Sequence, residues 1–228
     1  EERAATDYIQ LALAYFDNRD MPGARRHVNN ALDIDNGISD AYMVLAMISQ
    51  HEGDLDLADS NYQRAISLDK DNSSARNNYA AMLFSQERFR ESYEQLERVA
   101  NDTSYEGRSL VFEGLGRSAL RLGRQEEAKA AFQRALQLNE NLFIAPLELA
   151  LIYFDQEDYP RARQYYQNYL TTIQFLQLPH TPRALLAGIQ IEGYFQNKEF
   201  VENFSLVLST LYPTSPEYQV LQRLSDAN

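Results

Sequence analysis

The chain has 228 residues, 44% of them apolar, which allows one large domain or two small ones around a sizeable core. Thirty-three acidic against 21 basic residues give a net charge of −12, which argues against nucleic acid as a partner, because that needs a basic footprint. There is no Cys, which excludes disulfides, thiolate metal sites and a cysteine nucleophile, and no stretch approaches the ~20 apolar residues of a membrane-spanning helix.

In chain order, the apolar residues fall into pairs of helical segments. The first pair carries Tyr8, Leu11, Ala12 and Tyr15, then the turn DNRDMPG, then Ala24, Val28 and Ala31. The second carries Tyr42, Leu45 and Ala46, the turn HEGDL, then Ala58, Tyr62 and Ala65. The third runs Tyr79, Ala80, Leu83, the turn SQERF, then Ser92, Leu96, Val99. The fourth runs Phe112, Leu115, Gly116, the turn RLGRQ, then Ala128, Phe132, Ala135. The fifth runs Leu149, Ala150, Tyr153, the turn DQEDY, then Ala162, Tyr166, Tyr169. Successive triplets are 34, 34, 36 and 34 residues apart, the period of a tetratricopeptide repeat. In each triplet a small residue lets two helix backbones approach, and the larger residue four positions on fills the space beside it.

The prolines of QLPHTP (177–182) end the fifth unit. A sixth follows, with Leu186, Gly188 and Ile191 expected inward on its first helix and Val201, Phe204 and Leu208 on its second. A stop at Pro213, then Ser215 as N-cap and Pro216 in the first turn, predict a last helix over 216–225 that covers the open apolar end. The expected fold is all-α: a right-handed tetratricopeptide superhelix of six helix–turn–helix repeats plus a C-terminal capping helix. The repeats fall at about 5–38, 39–72, 73–108, 109–142, 143–176 and 182–214 of one solenoid spanning 1–228.

Catalytic chemistry finds no support in the sequence. His27, His51 and His180 share no helix face at ligand spacing, so they read as surface residues and no metal is expected. Gly53 and Gly123 stand singly at turns where a left-handed residue is needed, and no glycine-rich phosphate loop is present. Acidic clusters such as Asp54, Asp56 and Asp59 sit at helix starts, where negative charge complements the dipole. No nucleophile–base–orienter set emerges, so neither an enzyme nor a cofactor is expected.

A stack of helix pairs offers surface, and the first helix of each pair lines its concave side. The groove positions are Ile9, Leu13 and Phe16 in repeat one; Met43, Met47 and Gln50 in two; Asn77, Ala81 and Phe84 in three; Glu113, Arg117 and Arg121 in four; and Leu147, Leu151 and Phe154 in five. The partner-binding candidates among them are Ile9, Leu13, Phe16, Met43, Met47, Gln50, Asn77, Phe84, Arg117 and Arg121. The first half is apolar, with methionines able to mould around a partner. Arg117 and Arg121 place two cations in an acidic molecule, able to hold a carboxylate. Asn78 is placed to hydrogen-bond between repeats.

Several segments exceed what the generic repeat demands. ARNNY (75–79), VFEGLG (111–116), ARQYY (162–166) and the two-residue insertion around NDTSYEGRS resemble the PilF/PilW family of type IV pilus biogenesis lipoproteins. The resemblance covers nearly the whole chain and weakens over 171–205. It implies a pilotin: a non-enzymatic scaffold on the periplasmic face of the outer membrane, assisting localisation and multimerisation of a secretin subunit; the sequence leaves its oligomeric state open, with a monomer favoured. Its lipid would be carried by a cysteine upstream of Glu1. The competing reading is a tetratricopeptide adaptor or co-chaperone binding another protein's peptide segment.

Overall fold

The computed structural model describes residues 2–226, which form thirteen α-helices and no strand. The chain divides into two compact units, Glu1–Leu122 and Gly123–Asn228. The first holds α1 (Glu2–Asp17), α2 (Met21–Ile34), α3 (Ser39–Glu52), α4 (Leu55–Leu68), α5 (Ser73–Ser85), α6 (Phe89–Ala100) and α7 (Arg108–Arg121). Here α1/α2, α3/α4 and α5/α6 are antiparallel hairpins, and the first helices stack successively, α1 on α3, α3 on α5 and α5 on α7. The second holds α8 (Gln125–Leu138), α9 (Ile144–Asp155), α10 (Tyr159–Leu176), α11 (Pro182–Tyr194), α12 (Lys198–Leu211) and α13 (Pro216–Asp226). In it α9/α10 and α11/α12 are hairpins, α9 also packs on α11, and α13 lies against α11 and α12.

The turn after each repeat's first helix is built the same way. One residue takes the left-handed conformation: Arg19, Gly53, Glu87, Gly123, Glu157 and Gln196 in chain order. Glycine holds the position twice, and long polar residues accept the conformational cost elsewhere. The next amide reaches back five residues to a carbonyl, as in Asp20 N–H to Tyr15 O (2.9 Å), Asp54 to Ser49 (2.9 Å) and Asp158 to Tyr153 (2.9 Å). The side chains of those three aspartates then cap the second helix, accepting from Gly23, Leu57 and Arg161 N–H. A cap of this kind stabilises a helix by about 1 kcal/mol. The links between repeats also recur: the carboxylate or amide oxygen of Asp35, Asp69, Asp102 and Asn139 accepts from the amide two residues on, an Asx turn.

All fifteen triplet residues are core, none more than 5% exposed. Tyr62, Tyr166 and Tyr169 are among them, and burial raises the pKa of each hydroxyl, that of Tyr169 to about 12. Gly53 and Gly123 have φ of 85° and 73°, the left-handed values expected of them. Ser215 caps α13, its hydroxyl accepting from Tyr218 N–H (3.1 Å), and Tyr218 and Leu221 cover the Leu185/Ile189/Leu208 cluster.

Some sequence expectations are corrected. Leu11, read as a packing residue, is 44% exposed. In α11, Gly188 and Ile191 are buried as expected, Leu185 and Ile189 are buried as well, and Leu186 is half-buried against the same cluster. Val201 and Phe204 of α12 face inward as expected, half-buried against that cluster, with Leu208 fully buried in it. His27 and His180 are not surface residues. His27 lies against the rings of Tyr8 (6.0 Å) and Tyr15 (4.8 Å), and His180 against Tyr169 (6.0 Å) and Phe204 (5.3 Å). Each has a buried Nδ1 without a hydrogen bond, and burial lowers the pKa of His180. His51 alone of the three is exposed.

Candidate functional site: a two-chambered groove in the first unit

The stacked first helices of the N-terminal unit enclose two adjoining cavities with Ala81 in the wall of both. The smaller, about 280 Å³, lies between Phe16 of α1, Met47, Gln50 and His51 of α3, and Asn78 of α5. Tyr62 of α4 reaches through from behind, its hydroxyl donating to Gln50 Oε1 (3.2 Å). Phe16 and His51 meet edge to face at 6.1 Å, and Asn78 Nδ2 makes a long contact with Met47 Sδ (3.6 Å) that ties repeat three to repeat two.

The larger cavity, about 440 Å³, exists because its floor is built of small residues. Ala80 and Ser85 of α5, Ser92 of α6, and Gly114 and Ser118 of α7 leave the space open. Ser92 and Ser118 are both fully buried; Ser92 Oγ donates to Ala80 O (2.8 Å), and the two hydroxyls lie 3.3 Å apart. At Gly114 a Cβ would come within 3.0 Å of Leu96 Cδ1, so the absence of a side chain maintains both the helix contact and the cavity. Phe84, Leu110 and Arg117 form the walls, with Asn77 at the mouth. Leu110 is 59% exposed, and the Arg117 guanidinium lies 4.6 Å over the Phe84 ring. Such a cation–π contact is worth about 0.5–1 kcal/mol at an exposed position and pre-orients the arginine.

Six of the ten sequence-predicted groove residues therefore line these chambers: Phe16, Met47 and Gln50 in one, Asn77, Phe84 and Arg117 in the other. Ile9 and Met43 do not. Each is 6% exposed and packed in the core, because a helix wedged between two neighbours buries more than one stripe. Leu13 is half-buried against the same core. Arg121 lies beyond the larger chamber, 4.1 Å over Phe89 and 3.9 Å from Glu87, with half its side chain in solvent. The sequence reading missed His51, Tyr62 and Leu110. Tyr62 carries the core signature of its triplet, and only the length of its side chain brings the hydroxyl to the groove.

A third, larger depression of about 1120 Å³ beside α5 and α6 is lined by charged and polar groups. Its central arginine is already engaged, Arg76 Nη1 donating to Gln95 Oε1 (2.6 Å) and Nε to Lys70 O (2.8 Å). Among the described residues no group of three His, Asp or Glu side chains could hold a metal ion, and no helix is long and apolar enough to cross a membrane.

The tetratricopeptide repeat family matches residues 39–72 and 114–174. Over 221 residues the chain is 35% identical to the type IV pilus assembly protein PilF of Pseudomonas aeruginosa, spanning 97% of this chain and 86% of that protein. The chain belongs to the PilF family. A solved structure of Pseudomonas aeruginosa PilF, also 35% identical, matches this PilF-family chain with a TM-score of 0.89 over 97% of each. That of PilW, described as a widely conserved type IV pilus biogenesis factor, matches with a TM-score of 0.76 over 96% of this chain and 98% of the other. At 23% identity it shows the shared fold. The tetratricopeptide fold is a protein-interaction module, and PilF-family chains are scaffolds, not enzymes.

Proposed function

We propose that this chain is a pilotin-like scaffold of type IV pilus biogenesis, binding a secretin subunit and assisting its outer-membrane localisation and multimerisation. In this reading it acts on the periplasmic face of the outer membrane, held by a lipid attached upstream of Glu1. Whole-length similarity to a type IV pilus assembly protein carries the pilus assignment. The paired chambers carry the binding mode: a segment of the partner lies across α1, α3, α5 and α7 and places one apolar side chain in each. Met47 adapts to the first, as a flexible thioether does. Arg117, held against Phe84, meets a carboxylate or main-chain carbonyl beside the second.

Direct titration of the purified secretin subunit tests this. Met47→Glu and Phe84→Ser put polar groups into the chambers without touching a fully buried residue, and each should weaken binding by about tenfold or more with helicity unchanged. Met43 is unsuited to this test, since a charge there would unfold the core. Unchanged affinity in both variants removes the groove from the account, and no binding by the unaltered chain removes the secretin.

A further inference from the structure

The second unit carries a surface that the groove does not explain. From Gln164 to Pro182 there is no Asp, Glu, Lys or Arg, in a chain whose charged content is 24%. The arginines at either end are neutralised by buried carboxylates. Arg163 meets Glu192 through two hydrogen bonds of 2.8 Å, and Arg183 is paired with Glu148.

Within this stretch α10 ends in an apolar corner. Phe175 is 77% exposed, Leu176 40% and Leu178 39%, all within four residues of chain. The corner is held firmly from beneath. Thr172 and Ile173 of the same helix turn are buried, and Gln177 takes the left-handed conformation that returns Leu178 N–H to Ile173 O (3.1 Å). The Tyr212 hydroxyl donates to His180 O (2.7 Å), and Thr181 caps the next helix. An ordered frame thus holds Phe175 largely in water and leaves a substantial part of Leu176 and Leu178 exposed beside it.

We propose that the corner at 175–178 is a membrane-contact element, with Phe175, Leu176 and Leu178 inserting into the interfacial layer of a zwitterionic phospholipid bilayer. The exposed groups cluster at a helix end, and a bilayer receives them without a matching pocket. The stretch carries no carboxylate for lipid phosphates to repel, although the molecule as a whole carries a net charge of −12. It carries no free cation either, so attachment rests on apolar burial and requires no anionic lipid. Burial keeps the nearby His180 imidazole neutral over a wider pH range, so the collar of the corner stays uncharged. The inference stands apart from the pilus reading: it concerns another unit, and its test uses this protein and lipid alone.

The chain has no tryptophan, so Phe175→Trp is a single, site-specific fluorophore at a position too exposed to disturb packing. With phosphatidylcholine vesicles its emission should shift to the blue and the protein should float with the lipid, equally at low salt and in about 0.5 M salt. Leu176→Asp with Leu178→Asp in the same background should cut flotation by about tenfold or more with unchanged helicity. Absence of both shift and flotation overturns the proposal. So does a blue shift that follows protein concentration without lipid, which would give the corner to a second copy. Flotation that vanishes in salt overturns it too, by assigning the contact to charge.

Discussion

Helical glycines are usually improved by alanine, which gains about 1 kcal/mol of helix propensity, and Gly188 in α11 should behave in the opposite way. A Cβ at Gly188 would lie 2.6 Å from Tyr166 Cζ and 2.8 Å from its Cε1. The ring cannot retreat, since Tyr166 is completely buried and its hydroxyl donates to Ala184 O at 2.8 Å. Overpacking of this kind costs about 1–3 kcal/mol. If the ring moves instead, a buried hydroxyl and carbonyl lose their bond at about 1–3 kcal/mol. With that cost at the upper end of its range and the propensity gain subtracted, Gly188→Ala should destabilise by about 1–2 kcal/mol, which at 2–4 °C per kcal/mol lowers Tm by roughly 2–8 °C. Urea denaturation followed by circular dichroism measures it. Tyr166→Phe removes the hydroxyl oxygen and leaves the ring, so the double variant should recover about 1 kcal/mol relative to the sum of the single changes. A Gly188→Ala chain as stable as the parent, or more so, refutes the close approach of α10 and α11 described above.

Ala58, with no exposed surface, marks the tight crossing in repeat two; Ala58→Leu should cost roughly 1–3 kcal/mol, with hydrogen exchange rising first in the neighbouring repeats. Burial would raise the Asp59 carboxyl, but hydrogen bonds from Arg88 (2.6 Å), Tyr79 (2.8 Å) and Gln63 (2.6 Å) outweigh it and hold the group below its ordinary 3.8. A lowered folded value means this stability is complete above pH 3.8 and is lost as pH falls through the folded value. The acid limb of a stability–pH curve should therefore flatten in Asp59→Asn. Arg183→Ala leaves Glu148, 8% exposed, without its partner; because Arg183 is half in solvent, the loss should be about 2 kcal/mol by urea titration, below the full cost of breaking a buried pair.

The repeat was legible because each triplet obeys one geometric demand: a small residue where two backbones meet and a bulky one a turn later. That demand fixed all fifteen buried positions, and Ser92 met it as well as alanine did. The groove was legible in part for the same reason. A first helix has several buried stripes, and spacing alone does not tell the one facing the concave side from the one facing the next repeat. Phe16 and Met47 line the smaller chamber, while Ile9 and Met43 are buried in the core. Least visible were the polar ties between repeats. Arg88–Asp59, Arg163–Glu192 and Asn72–Asp40 join residues 29, 29 and 32 apart, close to one repeat length. Pairing opposite charges at the repeat period would have found the first two, whereas a search along single helix faces does not. His27 and His180 were missed because aromatic packing around an imidazole leaves no periodic trace.

The most direct test of the central claim is made in the native host. The gene is deleted, then complemented with the parent sequence or with Met47→Glu and Phe84→Ser together, and secretin multimers are assayed in fractionated membranes. The account predicts that multimers disappear or remain in the inner membrane on deletion, return with the parent sequence, and fail to return with the groove variant at equal protein level. Secretin multimers that form and localise normally in the deletion strain would contradict it.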